Sequence, residues 1–238
     1  MLNGMRKKIV TAFTYVFEMR KPIIKRKLDN IIAVCIEHTG KMEGMFSIST
    51  SCELNKHCQA RSKLKGSICE KCFAFANFKM RPSMRARYRH NTELLTSSVL
   101  PFDVLPILNN LYFRFESFGD LNNSIQVKNY FNICYKNPRT TFALWTKNPF
   151  YIANAIRDGY KKPENLIVLY SSPMIDANVD TKTLLRVFPF IDKVFTVYSD
   201  EKTAAAHGRT INCGTRVCLD CLRCYTHNND TEVSELLK

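Results

Sequence analysis

The chain has 238 residues, of which 45% are hydrophobic and 24% charged, and this composition excludes an intrinsically disordered protein. No apolar run approaches the ~18 residues that span a bilayer, so we expect a cytoplasmic protein without a membrane partner. Residues 1–90 hold 19 Lys and Arg against 6 Asp and Glu, a net of +13, whereas residues 91–238 hold 16 against 15, a net of +1. This asymmetry favours a nucleic acid or a phosphorylated ligand as partner, with a solvated basic surface as the alternative.

Residues 1–42 are predicted to form a basic N-terminal extension, and residues 43–238 a single α/β metal-binding domain. The apolar stretch from Ile9 to Phe17 predicts a short amphipathic helix. A signal peptide is disfavoured because Glu18 and further charged residues follow at once, without a small-residue cleavage site.

Apolar segments alternate with amphipathic segments along the rest of the chain. The apolar segments, predicted as strands, are residues 45–49, 111–115, 141–145, 166–170 and 193–198. The predicted helices are residues 78–97 with a break near Pro82, residues 124–135 capped by Asn122 or Asn123, residues 151–159 and residues 181–188. This alternation implies a parallel sheet, and five strands are too few for a complete eight-fold barrel. The predicted fold class is α/β, with a partial (β/α) barrel or an open parallel sheet and cysteine-rich metal-binding loops.

Polar residues follow four successive predicted strands. They are Glu116, Asp120, Thr146, Lys147, Ser171, Ser172, Ser199 and Asp200. The carboxyl ends of parallel strands meet at one edge, so these residues predict a shared pocket, although loop polarity alone explains some of them. We expect Asp120 to act as an acid/base or orienting group, and Lys147 as an electrostatic anchor for an anionic substrate.

Eight of the ten cysteines lie in two sets. The upstream set is Cys52, Cys58, Cys69 and Cys72. The C-terminal set, within the cysteine-rich segment 205–228, is Cys213, Cys218, Cys221 and Cys224. Thiolates gathered in this way bind zinc or an iron–sulfur cluster, and both sets are predicted metal ligands. The remaining two, Cys35 and Cys134, are isolated.

The spacing of the C-terminal set bears on the identity of the metal. Zinc sites usually pair two C-x2-C knuckles across a spacer of a dozen residues or more, and this set has no such spacer. Its compact winding favours an iron–sulfur cluster such as [4Fe–4S], with zinc as the alternative. The two sets form either two sites or one shared site. His57 is a further possible ligand, and a histidine beside a cysteine is more often incidental.

A basic segment with interleaved aromatic residues follows the upstream set. Its cations are Lys79, Arg81, Arg85, Arg87 and Arg89, and Phe78, Tyr88 and His90 are adjacent to them in the sequence. Guanidinium groups and aromatic rings together contact phosphates and stack on bases, so these cations are candidate nucleic-acid ligands. The alternative is the solvated face of a surface helix.

Several of these motifs together resemble the phage gene-product-eighty-eight family over about residues 44–225. The motifs are Ser47 to Cys52, Cys58, Cys69 to Ala74, Arg114 with Ser117 to Asp120, Thr141 to Lys147, and Cys213 to Tyr225. The resemblance implies a phage or mobile-element protein. It also implies a likeness to radical S-adenosylmethionine proteins, with a cluster on the upstream set facing Asp120 and Lys147. The chain departs from those proteins because it lacks C-x3-C-x2-C and a glycine-rich strand end.

Three functions are compatible with these observations. The first is an iron–sulfur protein with a catalytic pocket for an anionic substrate. The second is a zinc-stabilised nucleic-acid-binding protein without catalysis. The third is a structural or host-interaction protein in which the metal only stabilises the fold. The sequence leaves open whether the chain is an enzyme, and it does not predict an oligomeric state.

Overall fold

The computed structural model describes residues 31–228 and 230–237. The predicted N-terminal helix lies outside these residues. One compact unit runs from Ile32 to the C-terminus. It includes residues 35–42, which the sequence analysis assigned to the N-terminal extension and which contribute a strand to the sheet. No helix in the described part of the chain is long and apolar enough to span a membrane.

The described residues contain one seven-stranded sheet whose strand order follows the chain. The strands are β1 (Cys35–Ile36), β2 (Phe46–Ile48), β3 (Tyr112–Phe115), β4 (Thr141–Thr146), β5 (Leu166–Ser171), β6 (Lys193–Tyr198) and β7 (Glu232–Leu236). Only β1 is antiparallel to its neighbour, and all other neighbouring strands are parallel. The five predicted strands are β2 to β6, which confirms an α/β fold with a mostly parallel sheet.

Helices connect the strands. They are α1 (Lys56–Arg61), α2 (Phe73–Met80), α3 (Pro82–Ser97), α4 (Ser124–Lys136), α5 (Phe150–Arg157), α6 (Thr181–Val187), α7 (Glu201–Ala206) and α8 (Cys218–Cys221). The predicted break near Pro82 is confirmed, because Arg81 separates α2 from α3 and Pro82 begins α3. Asn123 caps α4, since its side chain accepts a 2.9 Å hydrogen bond from the Gln126 amide.

One face of the sheet is covered by helices α3 to α6. The side chains of Phe115, Leu144 and Val168 point to this face and belong to one buried cluster with Leu95 of α3 and Phe131 of α4. Residues of α5 and α6 extend the same cluster. All of these helices therefore lie on the same side of the sheet.

The opposite face carries a second apolar cluster that contains no residue of α3 to α6. We call it the helix-free face because, among the described residues packed on it, no helix is longer than the four-residue α8. Strand side chains that alternate with the first set, such as Ala143, Trp145 and Ile167, point to this face. They contact the cysteine-rich segment that precedes β7, including Tyr225, which is 5% exposed. The C-terminal cysteines thus lie over the helix-free face, whereas the carboxyl edge of the sheet remains available for a different site.

Candidate functional site

The upstream cysteines lie beyond the carboxyl end of β2. Cys52 is buried in the loop after the strand, and Cys58 lies on α1. The side chain of Asn55 begins that helix by accepting hydrogen bonds from the amides of His57 (2.9 Å) and Cys58 (3.3 Å). The Asn55 amide group donates to the Asp120 carbonyl at 2.8 Å. A single side chain therefore fixes α1 against the loop that follows β3.

Cys69 and Cys72 lie in the loop between α1 and α2, which is attached to the end of β5. The Ile68 amide donates to the Pro173 carbonyl at 3.0 Å, and the Cys69 amide donates to the Ser67 hydroxyl at 3.1 Å. The Cys72 residue then begins α2. These contacts bring cysteines from three separate segments to the carboxyl edge of the sheet.

Asp120 and Lys147 lie at this same edge. The buried Asp120 carboxylate accepts hydrogen bonds from the Thr146 hydroxyl (2.6 Å) and the Leu121 amide (2.8 Å) through Oδ1. Its Oδ2 atom accepts the Lys147 amide at 3.0 Å. The carboxylate therefore joins the loop after β3 to the end of β4. The structure brings the predicted pair together, and the chemical roles expected of Asp120 and Lys147 remain predictions.

Lys147 lies among the upstream thiols. Burial by itself lowers the pKa of Lys147, but Asp120 and the thiols of Cys69, Cys58 and Cys72 outweigh it, so the pKa lies above its usual value. The ammonium group therefore stays charged at neutral pH. A half-buried ammonium group that lies beside one carboxylate and neutral thiols can receive the anionic part of a ligand.

The thiols of Cys52 and Cys58 have pKa values that reflect the same surroundings. Burial, with smaller contributions from Cys72 and Glu53, raises the pKa of Cys52 to about 12. Burial and Asp120 raise the pKa of Cys58, and Lys147 acts in the opposite direction. Without a bound metal these thiols are protonated at neutral pH, and a metal that binds them must displace their protons.

His57, Arg61 and Tyr170 complete the surroundings of Lys147. Burial lowers the pKa of His57, Asp120 raises it, and Arg61 and Lys147 lower it. Within the described residues, the buried Nε2 atom of His57 has no hydrogen-bond partner. Sequence reasoning missed Arg61 and Tyr170, because nothing in the local pattern shows that α1 and β5 meet at this edge. For His57, the adjacency to Cys58 was the available signal.

A buried polar network lies next to this site. Glu116 accepts hydrogen bonds from the Tyr130 hydroxyl (2.5 Å) and the Gln126 amide group (2.6 Å), both on α4. It also accepts one from the Thr50 amide at 3.2 Å, two residues before Cys52. Burial raises the pKa of Glu116 to about 7, against the effect of these hydrogen bonds. The network fixes the backbone that leads from β2 into the upstream set.

The C-terminal set lies elsewhere, over the helix-free face. All four of its thiols line one cavity of roughly 200 Å³. The charged groups that influence them are Lys41, Arg114 and Glu235, whereas Asp120 and Lys147 influence the upstream set. The structure thus groups the eight cysteines into two sets of four, at two places on the sheet.

The donor chemistry of both sets fits a metal that prefers thiolates. All ten cysteines are in the described residues and are free thiols. As the side chains stand, no group of three or more His, Cys, Asp or Glu in the described ranges is arranged so that it could hold a metal ion. Metal binding therefore requires the thiols to turn toward a common centre. The predicted metal ligands remain a prediction.

The predicted nucleic-acid ligands lie on α2, on α3 and between them. Lys79, Arg81, Arg85 and Arg87 are exposed. The carboxylate of Glu53 pairs with Arg85 at 2.8 Å and with Arg89 at 3.3 Å. Two of the five cations are thus partly neutralised, whereas Lys79, Arg81 and Arg87 form no ion pair among the described residues, although Glu37 interacts electrostatically with Arg81 and Arg87.

Comparison with known proteins agrees with the motifs described above. No significant match was found among curated proteins or among solved structures. A family model described as Gene product 88 matches residues 21–232, which include both cysteine sets, Asp120 and Lys147. Because this match covers most of the sequence, the chain belongs to the Gene product 88 family.

Proposed function

We propose that this phage or mobile-element protein binds an iron–sulfur cluster through Cys52, Cys58, Cys69 and Cys72, beside a pocket for an anionic substrate. One observation carries the proposal. Cysteines from α1 and from the loop before α2 share their electrostatic surroundings with Lys147, which comes from the end of β4. Residues that are distant in sequence thus converge at the edge where parallel sheets place their reactive groups.

Each residue of the pocket has a distinct task in this proposal. Lys147 binds the anionic group of the substrate, and Asp120 holds the Lys147 backbone in place through the 3.0 Å hydrogen bond. The cluster, when bound, supplies redox or Lewis-acid chemistry next to that group. The sequential strand order and the helices on one face support a partial (β/α) barrel as the framework.

The relation to radical S-adenosylmethionine proteins is a narrower part of the proposal. The upstream cysteines follow β2, the first strand of the parallel part of the sheet, as in those proteins. The chain lacks C-x3-C-x2-C, so we assign no binding site for S-adenosylmethionine. The proposal is limited to the cluster and the anion pocket.

An anaerobic binding experiment tests the pocket. Wild-type protein, Lys147→Met and the matched control Lys182→Met, an exposed lysine on α6, are titrated with pyrophosphate by calorimetry. We expect Lys147→Met to weaken binding at least tenfold and to keep the metal content of the wild type, whereas Lys182→Met binds normally. Equal affinity in all three proteins contradicts the anion pocket.

The exposed cations Lys79, Arg81 and Arg87 favour a second candidate, a zinc-stabilised nucleic-acid-binding protein. In that case replacing the three by Gln weakens binding to a single-stranded oligonucleotide and reduces its dependence on salt. The variant Lys182→Gln/Arg186→Gln, on exposed positions of α6, serves as the control. If the triple replacement leaves oligonucleotide binding unchanged, this surface is excluded as the nucleic-acid-binding site.

A further inference from the structure

The cysteine-rich segment 211–226, here called the C-terminal block, has little regular structure of its own. It contains the four-residue α8 and a 3-10 turn over Arg223–Tyr225. Leu222 between them has a φ of 50°, a left-handed conformation that costs a leucine roughly 1–2 kcal/mol. Backbone hydrogen bonds alone therefore give this block limited rigidity.

The C-terminal block nevertheless packs on the helix-free face over β3 and β4. Tyr225 is buried there, with its ring centroid 5.8 Å from that of Tyr112 and 6.1 Å from that of Trp145. Leu219 and Leu222 belong to the same apolar cluster. A segment that closes a core with one short helix, one 3-10 turn and a single β-bridge to β7 gains from a further source of rigidity.

The four thiols occupy the centre of the block. Cys213 is held next to β7, because its amide donates to the Ser234 carbonyl at 3.0 Å. Cys218 and Cys221 are the two ends of α8, and Cys224 lies in the following 3-10 turn. Each of the four lines the same cavity, so a metal there would join β7 to both turns.

Cations surround this cavity from the sheet side. Arg114 of β3 lies over the Trp145 ring, 3.8 Å from its centroid. Within the described residues its buried Nε atom has no hydrogen-bond partner, and Nη1 contacts only the weak acceptor Met42 Sδ at 3.2 Å. Lys41 Nζ lies 3.8 Å from Cys213 Sγ and 2.5 Å from Glu235. Arg114 interacts electrostatically with Glu37 and with the Cys218 thiol, so a thiolate at Cys218 would further stabilise this weakly hydrogen-bonded guanidinium.

We propose that Cys213, Cys218, Cys221 and Cys224 bind a metal of their own, separate from the upstream set, and that this tetrathiolate centre fixes the C-terminal block to the helix-free face. When four thiols bind a divalent zinc ion they release about four protons to the solvent, and the resulting centre has a net charge of about −2. Arg114 and Lys41 compensate part of that charge, since Lys41 also pairs with Glu235. A cubane iron–sulfur cluster has the same four thiolate ligands, so both metals share the chemistry of the site.

Metal content of matched variants tests whether there are two centres. Zinc and iron are measured per chain, after anaerobic purification, in wild type, Cys218→Ser/Cys221→Ser, Cys69→Ser/Cys72→Ser and the control Cys35→Ala. We expect the Cys218/Cys221 variant to lose one centre and the Cys69/Cys72 variant to keep that same centre. The element that is lost identifies zinc or iron–sulfur.

The outcomes separate this inference from the proposed function. If the wild type holds a single centre that only the Cys218/Cys221 variant loses, the C-terminal centre stands and the upstream cluster fails. If each pair variant loses all metal, one shared site replaces the two-centre proposal. Unchanged metal content in the Cys218/Cys221 variant overturns the proposal outright.

A measurement on the wild-type chain covers the case in which these variants do not fold. Alkylation of the native protein is followed by mass spectrometry of the peptides that contain the C-terminal set, before and after metal removal with a chelator. We expect at least tenfold slower alkylation of these thiols before metal removal. Equal rates before and after removal overturn the proposal.

Discussion

The carboxylate of Asp120 accepts the backbone amide of Lys147 at 3.0 Å, and this hydrogen bond fixes the position from which the lysine side chain enters the upstream site. The same carboxylate accepts the Thr146 hydroxyl at 2.6 Å and the Leu121 amide at 2.8 Å. Asp120 thus connects two successive strand ends. Truncating its side chain to Ala therefore removes any chemical role and these structural hydrogen bonds at the same time.

Replacing Asp120 by Ala is expected to lower the free energy of unfolding by about 3 kcal/mol, because several buried donors lose their acceptor at once. Asp120→Asn should cost less, since its amide oxygen still accepts a hydrogen bond. Urea unfolding measures both, with exposed Asp103→Ala as a control that stays within about 0.5 kcal/mol of wild type. A cost below about 1 kcal/mol for Asp120→Ala contradicts this assignment.

Glu116 is expected to make stability depend on pH. Its pKa is raised to about 7 in the folded protein, against an ordinary value of 4.5, mainly by burial. Between pH 4.5 and about 7, the folded protein therefore holds a proton that the unfolded chain has lost. The stabilisation that comes from this proton is complete below pH 4.5 and disappears as the pH rises to 7 and above. The full effect is about 3 kcal/mol.

The comparison with Glu116→Gln isolates this contribution. The unfolding free energy of the wild type, relative to that of the variant, should fall from pH 5 to pH 8, because Gln does not titrate. Exposed Glu93→Gln on α3 is the matched control and should show no such trend. A difference that is independent of pH, or that shifts in favour of the wild type, is inconsistent with a proton held by buried Glu116.

Gly119 is required by lack of space in the loop between Glu116 and Asp120. A methyl group at this position would lie 2.3 Å from Glu116 Oε2 and 2.6 Å from the Thr50 carbonyl oxygen. Gly119→Ala should therefore lower the free energy of unfolding by roughly 1–3 kcal/mol. Thermal and urea unfolding measure this cost, and a variant as stable as wild type would show that the loop has room.

The strands β2 to β6 could be predicted because they are largely buried and their sequences are mainly apolar. The strand β7 could not be predicted, since Glu232–Leu236 includes two glutamates and a serine. Its Glu235 is buried, and its carboxylate forms an ion pair with Lys41, a residue 194 positions away in the sequence. Polar strands that depend on such distant partners leave no local pattern.

The residues of the upstream site could be predicted only where their signals are local in the sequence. Cysteine spacing and strand ends indicated the upstream thiols, Asp120 and Lys147, because those signals are local. The presence of Arg61 and Tyr170 at the site depends on how α1 and β5 pack together, and no periodic pattern in the sequence predicts that packing. The location of the C-terminal block on the helix-free face also follows from tertiary packing alone.

The central claim is that the upstream cysteines hold an iron–sulfur cluster. Its most direct test is the iron and sulfide content, with the absorption spectrum, of anaerobically purified wild type and of Cys69→Ser/Cys72→Ser. We predict a brown wild-type protein with broad absorption near 400 nm, and loss of iron, sulfide and this absorption from the variant as far as the upstream site contributes. A colourless wild type without iron, or a variant with unchanged iron and spectrum, contradicts the claim.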